Sequence, residues 1–505
     1  MPKRLHNQSL WPLALLSGLA IALPTLASPI VQPELVIVDE NGNNGRFGTA
    51  LAATDGVLAI GSPFDSTDFI SSGKVTIRRT IWTGTPSDPM QSEGALLETL
   101  TPGSGANNTT KFGSSLAFSG DCLAVGSPGW RGTSGYVGAG GVFVYDTPSS
   151  AIASTFVQVL QHADAYIGDD FGWSVDGHLS TQSNGHSERF IVGAPGRRVG
   201  GTTSGDANAG AVYVYQRGIG LSTFSLLRTL QPAWVQADDR FGEAVEHYGW
   251  FYFVGSPGWN NGEGAVYVFV ADPNTDELTL LKTIAGSDTS CSSGFGTSID
   301  FWGGYYGGSL VIGGSGGSGH ASVYQVQADA QNWQTSPAVD VTHNMDLEPN
   351  DWTGVSNWGS SVSIDLLRIA VGGEGIAASY RYDLNATTLW SRLAMLDNDV
   401  WNGDIDDDLG MAVCVHGTQA WAGSPRSNEF NANDGAVARW NVDGMPNCPA
   451  DLDLDYDVDA DDMLILLANL GSTQTGFGSG ELHSDGVINI LDLLELVAAW
   501  GDCGA

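Results

Sequence analysis

Between Glu34 and Val442 one four-part phrase recurs seven times. An apolar run leads into an aromatic-glycine step. A short apolar strand pattern follows, ends at a Gly-Ser/Ala-Pro stop, and gives way to a Gly-x-Val-Tyr-Val-Tyr type strand. The second copy shows every part: Leu96-Leu97-Glu98-Thr99-Leu100, Phe112-Gly113-Ser114-Ser115-Leu116, Ala124-Val125-Gly126-Ser127-Pro128 and Gly141-Val142-Phe143-Val144-Tyr145. A repeat of this length with four short strands per unit has few packed solutions. The best of them is a seven-bladed β-propeller, one four-stranded sheet per blade.

The aromatic-glycine steps are Phe47-Gly48, Phe112-Gly113, Phe171-Gly172, Phe241-Gly242, Phe295-Gly296, Trp358-Gly359 and, without the ring, Leu409-Gly410. Their stops begin at Gly61, Gly126, Gly193, Gly255, Gly313, Gly372 and Gly423. The ring offers a large apolar face to wedge between blades. The glycine admits close backbone approach. Proline lacks an N–H and suits the place where a ladder ends and a turn begins. The third strands, such as Gly210-Ala211-Val212-Tyr213-Val214-Tyr215, alternate as half-buried strands are expected to.

These residues resemble the FG-GAP repeats of the integrin α-subunit propeller and its bacterial relatives. In that family FG lies on an inner strand and GAP follows the next strand. On that register the last unit ends at its third strand, Gly435 to Trp440, and Glu34 to Val38 must supply the fourth. Pairing both chain ends in one blade would close the ring and remove its exposed edges. Integrin propellers also carry DxDxDG calcium loops between FG and GAP. This chain has none there: those hairpins are short, as at Thr54-Asp55-Gly56, or polar without the ligand comb, as from Asp176 to Glu188. Acidic clusters precede some FG steps at Asp169-Asp170, Asp238-Asp239 and Asp406-Asp407-Asp408, with one DxDxD at Asp404, Asp406 and Asp408. They read as a solvated acidic rim.

The chain has 505 residues and a net charge of −36, from 20 Lys and Arg against 56 Asp and Glu. That balance argues against a nucleic-acid partner, whose phosphates reward clustered cations, and against an anionic membrane surface. Lys3 and Arg4 followed by the apolar run Trp11 to Leu23 read as a secretory signal, with cleavage near Thr25-Leu26-Ala27. Residues 1–27 would then be the signal peptide and 30–445 the propeller. No later stretch is apolar and long enough to span a bilayer, so a secreted or cell-surface protein is expected. Of five cysteines, Cys448 and Cys503 bracket the last segment and suit an oxidising compartment. Cys122, Cys291 and Cys414 read as unpaired, the two on predicted strands (Cys122 and Cys414) as small buried hydrophobes.

After Met445-Pro446 the texture changes. Residues 447–505 contain no Lys or Arg and consist of two matching halves offset by thirty residues. Asp459 to Gly471 and Asn489 to Gly501 each show helical apolar spacing ended by glycine. Oxygen ligands precede and open each helix. Asp451, Asp453, Asp455, Asp459 and Asp462 fall at positions 1, 3, 5, 9 and 12 of an EF-hand-type loop, with the Asp457 carbonyl at position 7. Such a comb suits Ca²⁺, a hard cation that takes 6–8 oxygens. The second loop offers Glu481, Asp485, the Val487 carbonyl, Asn489 and Asp492, but places His483 at position 3, where oxygen is preferred. Tyr456 stands where the first loop would normally have glycine.

This pair of loop-helix units resembles a dockerin, a small all-α, EF-hand-like calcium module that plugs into cohesin-bearing scaffolds. The resemblance implies Ca²⁺ as the cofactor and a cohesin-like domain as the partner. It points to Ala460, Asp461, Ile490 and Leu491 as specificity positions.

No HExxH helix, Walker loop or Rossmann fingerprint occurs. Gly313-Gly314-Ser315-Gly316-Gly317 satisfies GxSxG in form only, without the helix that the elbow requires. No catalytic residue is assigned. The expected function is a non-catalytic secreted or adhesion protein, its propeller face binding an extracellular protein or glycan. The alternatives are a dockerin-bearing carbohydrate-active enzyme, which would need two carboxylates at a set separation, and a passive surface-layer component.

Overall fold

In a computed structural model the described residues run from 33 to 442 apart from loop segments, the longest being 81–93, 200–206, 329–338, 383–389, 398–407 and 428–434. In the C-terminal region they are 457–458, 460–470, 488–498 and 500–502, without 459 and 499. Seven antiparallel four-stranded sheets form. Blade 1 is Ala50–Thr54, Val57–Ser62, Lys74–Arg79 and Leu96–Leu100; blades 2 to 6 repeat that order along the chain. Each inner strand packs beside the next, and that of blade 7, Ala412–His416, packs beside that of blade 1. The result is the expected seven-bladed propeller.

Closure follows the expected register. Leu35–Val38 pairs antiparallel with Ala436–Asn441 as the outer strand of blade 7, from Leu35 opposite Arg439 to Val38 opposite Ala436. The chain then leaves for blade 1 through Asp39. Its carboxylate lies 2.8 Å from the Lys74 ammonium, which also meets Asp65 at 2.9 Å. All three residues are buried. The first strand therefore joins the last blade by its ladder and the first blade by a charge cluster.

The aromatic-glycine step is a tight turn. In blade 1 the Thr49 N–H reaches the Arg46 carbonyl at 3.3 Å, and Gly48 has φ +91°, the left-handed value that the third position of a type II turn demands. Phe47 is fully buried. Its equivalents form parallel bridges to the glycine opening the third strand of the preceding blade, as Phe112 does to Gly73. A second glycine makes the seam possible. A Cβ on Gly61 would lie 2.1 Å from the Gly113 carbonyl oxygen of the next blade. The stop glycine of every blade stands in the same relation to its neighbour, at 1.9–2.2 Å. Where serine follows the step by two residues, its hydroxyl donates across the seam: Ser115 to Gly172 O at 2.9 Å, Ser298 to Gly359 O at 2.7 Å.

The third strands differ from expectation. Ala265–Ala271 is buried along its whole length rather than half-buried. Val266, Val268 and Val270 enter the core shared with blade 5, while Ala265, Tyr267 and Phe269 enter the core shared with blade 3. Period-two alternation persists, but a blade is sandwiched between two others, so both faces are apolar. Among the described residues extensive exposure is concentrated in the outermost strands, such as Thr155–Leu160.

In the C-terminal region Ala460–Ala468 and Ile490–Ala498 are helices, and Asp457–Val458 pairs with Gly501–Asp502. Val458, Leu466, Ile488 and Leu496 form a buried cluster. These are two pairs offset by thirty residues, so the internal duplication is also a packing symmetry.

Candidate functional site

Only part of the expected calcium comb lies in the described residues. Asp451, Asp453, Asp455, Asp459, Glu481, Asp485 and Val487 lie outside them, as do residues 1–27, Tyr456, Cys448 and Cys503. Asp457 stands in the short ladder with Asp502. Asp462 and Asp492, at the twelfth position of each loop, are both fully buried. In the second helix the Asn489 backbone N–H donates to Asp492 at 2.7 Å, and the Leu491 N–H donates to the Asn489 side chain at 2.8 Å. This reciprocal capping satisfies two orphan donors at the start of the helix. A buried carboxylate at the twelfth position of both halves fits a hard cation. Among the described residues no group of three His, Cys, Asp or Glu gathers closely enough to hold a metal.

The helices leave apolar side chains in solvent. Leu464 is 62% exposed and its counterpart thirty residues later, Leu494, is 59% exposed. Leu467 with Val497, and Leu470 with Trp500, repeat the pattern. The spacing of three keeps Leu464 with Leu467, and Leu494 with Val497, on one side of their helices, while Leu470 and Trp500 lie just past the helix ends. Ile490 and Leu491 are exposed as well.

On the propeller, the inner-strand starts, proline stops and aromatic-glycine turns share one end of the ring, because neighbouring strands are antiparallel. The residue before each aromatic-glycine step adopts left-handed φ in every blade. Arg46, Lys111, Asp170, Arg240, Asn357 and Asp408 lie between +54° and +57°, and Gly294 at +68°. For residues with a Cβ this conformation costs about 1–2 kcal/mol. The sequence gives no sign of it, since charged residues at five of these positions look like ordinary surface.

The acidic pairs beside these turns are a solvated rim only in part: Asp238 is exposed, whereas one carboxylate of each of the first two pairs is drawn in. Asp169 and Asp239 are buried and close the loop before the turn by accepting the Tyr166 and Gln236 N–H groups, each at 2.7 Å. Asp169 also meets Arg197 at 2.8 Å and His162 at 3.2 Å. The other His162 nitrogen faces Asp164, whose carboxylate also pairs with Arg197. Asp408 pairs with Arg426 at 2.9 Å; Asp404, Asp406 and Asp407 lie outside the described residues. These carboxylates are drawn in to satisfy backbone donors and cations.

Aromatic rings are exposed at the same end: Tyr136, Trp173 and Trp234. Tyr136 lies 4.8 Å from Tyr166, and Trp234 lies 4.6 Å from Tyr267. Trp173 meets the Arg240 guanidinium at 5.4 Å, and Arg240 is itself paired with Glu243. Burial pushes the Asp170 carboxyl up to about 6, against the pull of Lys111 and Arg240.

Sequence reasoning singled out no carboxylate pair in the ring, yet the inner strands of blades 3, 4 and 5 bring three into electrostatic contact. Asp176, Glu246 and Asp300 are all pushed up, first by burial and then by mutual or neighbouring negative charge, Asp300 to about 6. Two of them accept backbone N–H groups from the next blade, Asp176 from His247 at 2.9 Å and Asp300 from Ile364 at 2.7 Å. Cys122 is fully buried in the core shared by blades 2 and 3, as expected, but also has polar neighbours. Its sulfur lies 2.6 Å from Arg217 and 3.0 Å from Asp146, beside a cleft of about 360 Å³. Cys291 is buried and Cys414 only partly so; all three are unpaired thiols. Ser315 follows a strand and enters a turn, so GxSxG forms no elbow.

No family model matches the sequence, and no curated protein does. Among solved structures, Sqt1 of Saccharomyces cerevisiae is similar at 11% identity and a TM-score of 0.40, over 82% of this chain and 86% of that one. Kuenenia stuttgartiensis hydrazine synthase is similar at 10% identity and a TM-score of 0.45, over 80% and 99%. At that identity and overlap neither neighbour bears on what this chain binds. Among the described residues no helix is long and apolar enough to cross a membrane.

Proposed function

We propose that this chain is a secreted or cell-surface binding protein without catalytic activity. Its FG-GAP-type propeller takes an extracellular protein or glycan, and its dockerin-type tail docks to a cohesin-like domain in a calcium-dependent way. The carrying observation is the duplicated apolar surface of the tail, with Leu464 and Leu467 on one helix and Leu470 just past its end, repeated by Leu494 and Val497 on the other and Trp500 just past its end. Exposed apolar groups in matched sets support a partner surface. In this reading Ca²⁺ is held by Asp451, Asp453, Asp455, Asp459 and Asp462 with the Asp457 carbonyl. The second loop contributes Glu481, Asp485, Val487, Asn489 and Asp492. Clustered carboxylates repel one another without a cation, so the loops order on binding it.

The test is capture of cohesin-bearing proteins from the native secretome by the full chain, with and without EDTA. Capture should vanish with EDTA and with Leu464→Asp combined with Leu494→Asp. Capture unaffected by both treatments would refute the docking reading.

A second reading, an enzyme working on polysaccharide at the propeller, draws support from the raised carboxyls Asp176, Glu246 and Asp300. Polysaccharide turnover lost in Asp300→Asn would favour it.

A further inference from the structure

We propose that Trp173 is the stacking platform of a saccharide subsite at the mouth of the propeller, between blades 3 and 4, taking an uncharged sugar unit of a polysaccharide. The proposal rests on reading this propeller as a binding module and names its ligand class and place.

Blade 3 is the exception in the ring. The residue directly after the turn glycine is Thr49, Ser114, Glu243, Thr297, Ser360 or Met411 in the other blades, and only blade 3 places an aromatic ring there. The indole keeps 38% of its surface in solvent. It is not loose. The Trp173 backbone N–H closes the turn on the Asp170 carbonyl at 3.0 Å. The Arg240 guanidinium of the next blade meets the ring at 5.4 Å, and Arg240 is fixed in turn by Glu243, Nε to carboxylate 2.6 Å. Asp170 and Arg240 both sit in left-handed backbone, at φ +54° and +55°. That conformation recurs before the step in every blade, so it holds the turn in place and does not by itself mark this ring.

The chemistry around the ring selects the occupant. A pyranose offers a face of C–H groups and a rim of hydroxyls. The indole suits the face, and the Asp170 carboxylate and Arg240 guanidinium supply an acceptor and donors for the rim. An apolar protein segment would desolvate Asp170 and the Arg240–Glu243 pair while offering them no partner of its own. A uronate or phosphate polymer would meet Asp170, Glu243 and a chain of net charge −36. An uncharged sugar satisfies the ring and its polar border together.

Affinity electrophoresis of the full chain through gels containing hydroxyethylcellulose, xylan, galactomannan or polygalacturonate tests this. At least one uncharged polymer should retard the protein. Trp173→Ala should weaken that retardation about tenfold or more, as loss of an aromatic stacking contact does. Trp173→Phe should keep most of it, and Trp234→Ala should leave it unchanged. An unaltered melting temperature in Trp173→Ala shows that the fold is intact. Retardation that survives Trp173→Ala removes this subsite while the propeller stays a glycan binder. Retardation by polygalacturonate alone overturns the uncharged ligand. Retardation by none overturns the subsite and the glycan half of the functional reading together.

Discussion

Replacing Lys74 by methionine is the sharpest perturbation of ring closure. The ammonium lies 2.8 Å from Asp39 and 2.9 Å from Asp65, and its side chain is 7% exposed. Methionine keeps the apolar stem and deletes the charge, stranding two buried carboxylates. Breaking a buried pair in this way costs about 3–5 kcal/mol. A propeller of about 400 residues unfolding as one unit has an unfolding entropy near 0.8 kcal/mol/K, so the melting temperature should fall about 4–6 °C. Calorimetry of the full chain reads the shift. Hydrogen exchange reads its location, with the amides of Leu35–Val38 opening sooner than those of inner strands, because Asp39 anchors that strand to blade 1. Added salt should restore little, since buried pairs are poorly screened. Burial opposes the Lys74 charge, but Asp39 and Asp65 outweigh it and raise its pKa. The wild-type contribution is therefore complete below the unfolded lysine value of about 10.4 and lost as pH rises through the folded one. A shift under about 1 °C, with unchanged exchange at Leu35–Val38, would refute the anchoring role.

Two further outcomes follow from the ring. Lys111→Gly relieves a left-handed φ of +55° and should stabilise the propeller by about 1 kcal/mol, measured by denaturant unfolding. His178 and His247 are held below the usual histidine range by burial, with Arg189 adding to the effect, His178 to about 4. Tyr248 and Tyr252 pack against their rings, and no carboxylate hydrogen bond to those rings occurs among the described residues. Their folded pKa values lie below the unfolded value, so stability is full above about pH 6.5 and falls as acid charges them. His178→Gln should flatten the slope of stability against pH between about 6 and 4 by roughly 1.4 kcal/mol per pH unit.

The architecture was legible because seven copies of a loose motif average out local ambiguity. Closure by Leu35–Val38 was legible because the last repeat lacks a strand and the chain start supplies one. Full burial of the third strands was not, since alternation in Ala265–Ala271 looks the same whether one face or two meet a core. Nor was the charged ring of left-handed residues, because nothing in Arg46 or Lys111 as residue types announces φ near +55°. Asp169 and Asp239 misled for a related reason: a carboxylate that caps a loop and one that faces water share the same sequence texture. In the tail the thirty-residue offset was legible, and the buried pairs Val458 with Ile488 and Leu466 with Leu496 obey it. The exposed apolar triplets were masked by the helical pattern that contains them.

In the proposed reading the tail docks in a calcium-dependent way and the propeller needs no calcium. Calcium titration of the full chain by calorimetry, paired with thermal melts in calcium and in EDTA, tests that division most directly. The binding isotherm should be abolished by Asp451→Ala with Asp455→Ala, and the propeller transition should fall at the same temperature in calcium and EDTA. A full-strength isotherm in that double variant, or a propeller transition that moves with calcium, would contradict that reading.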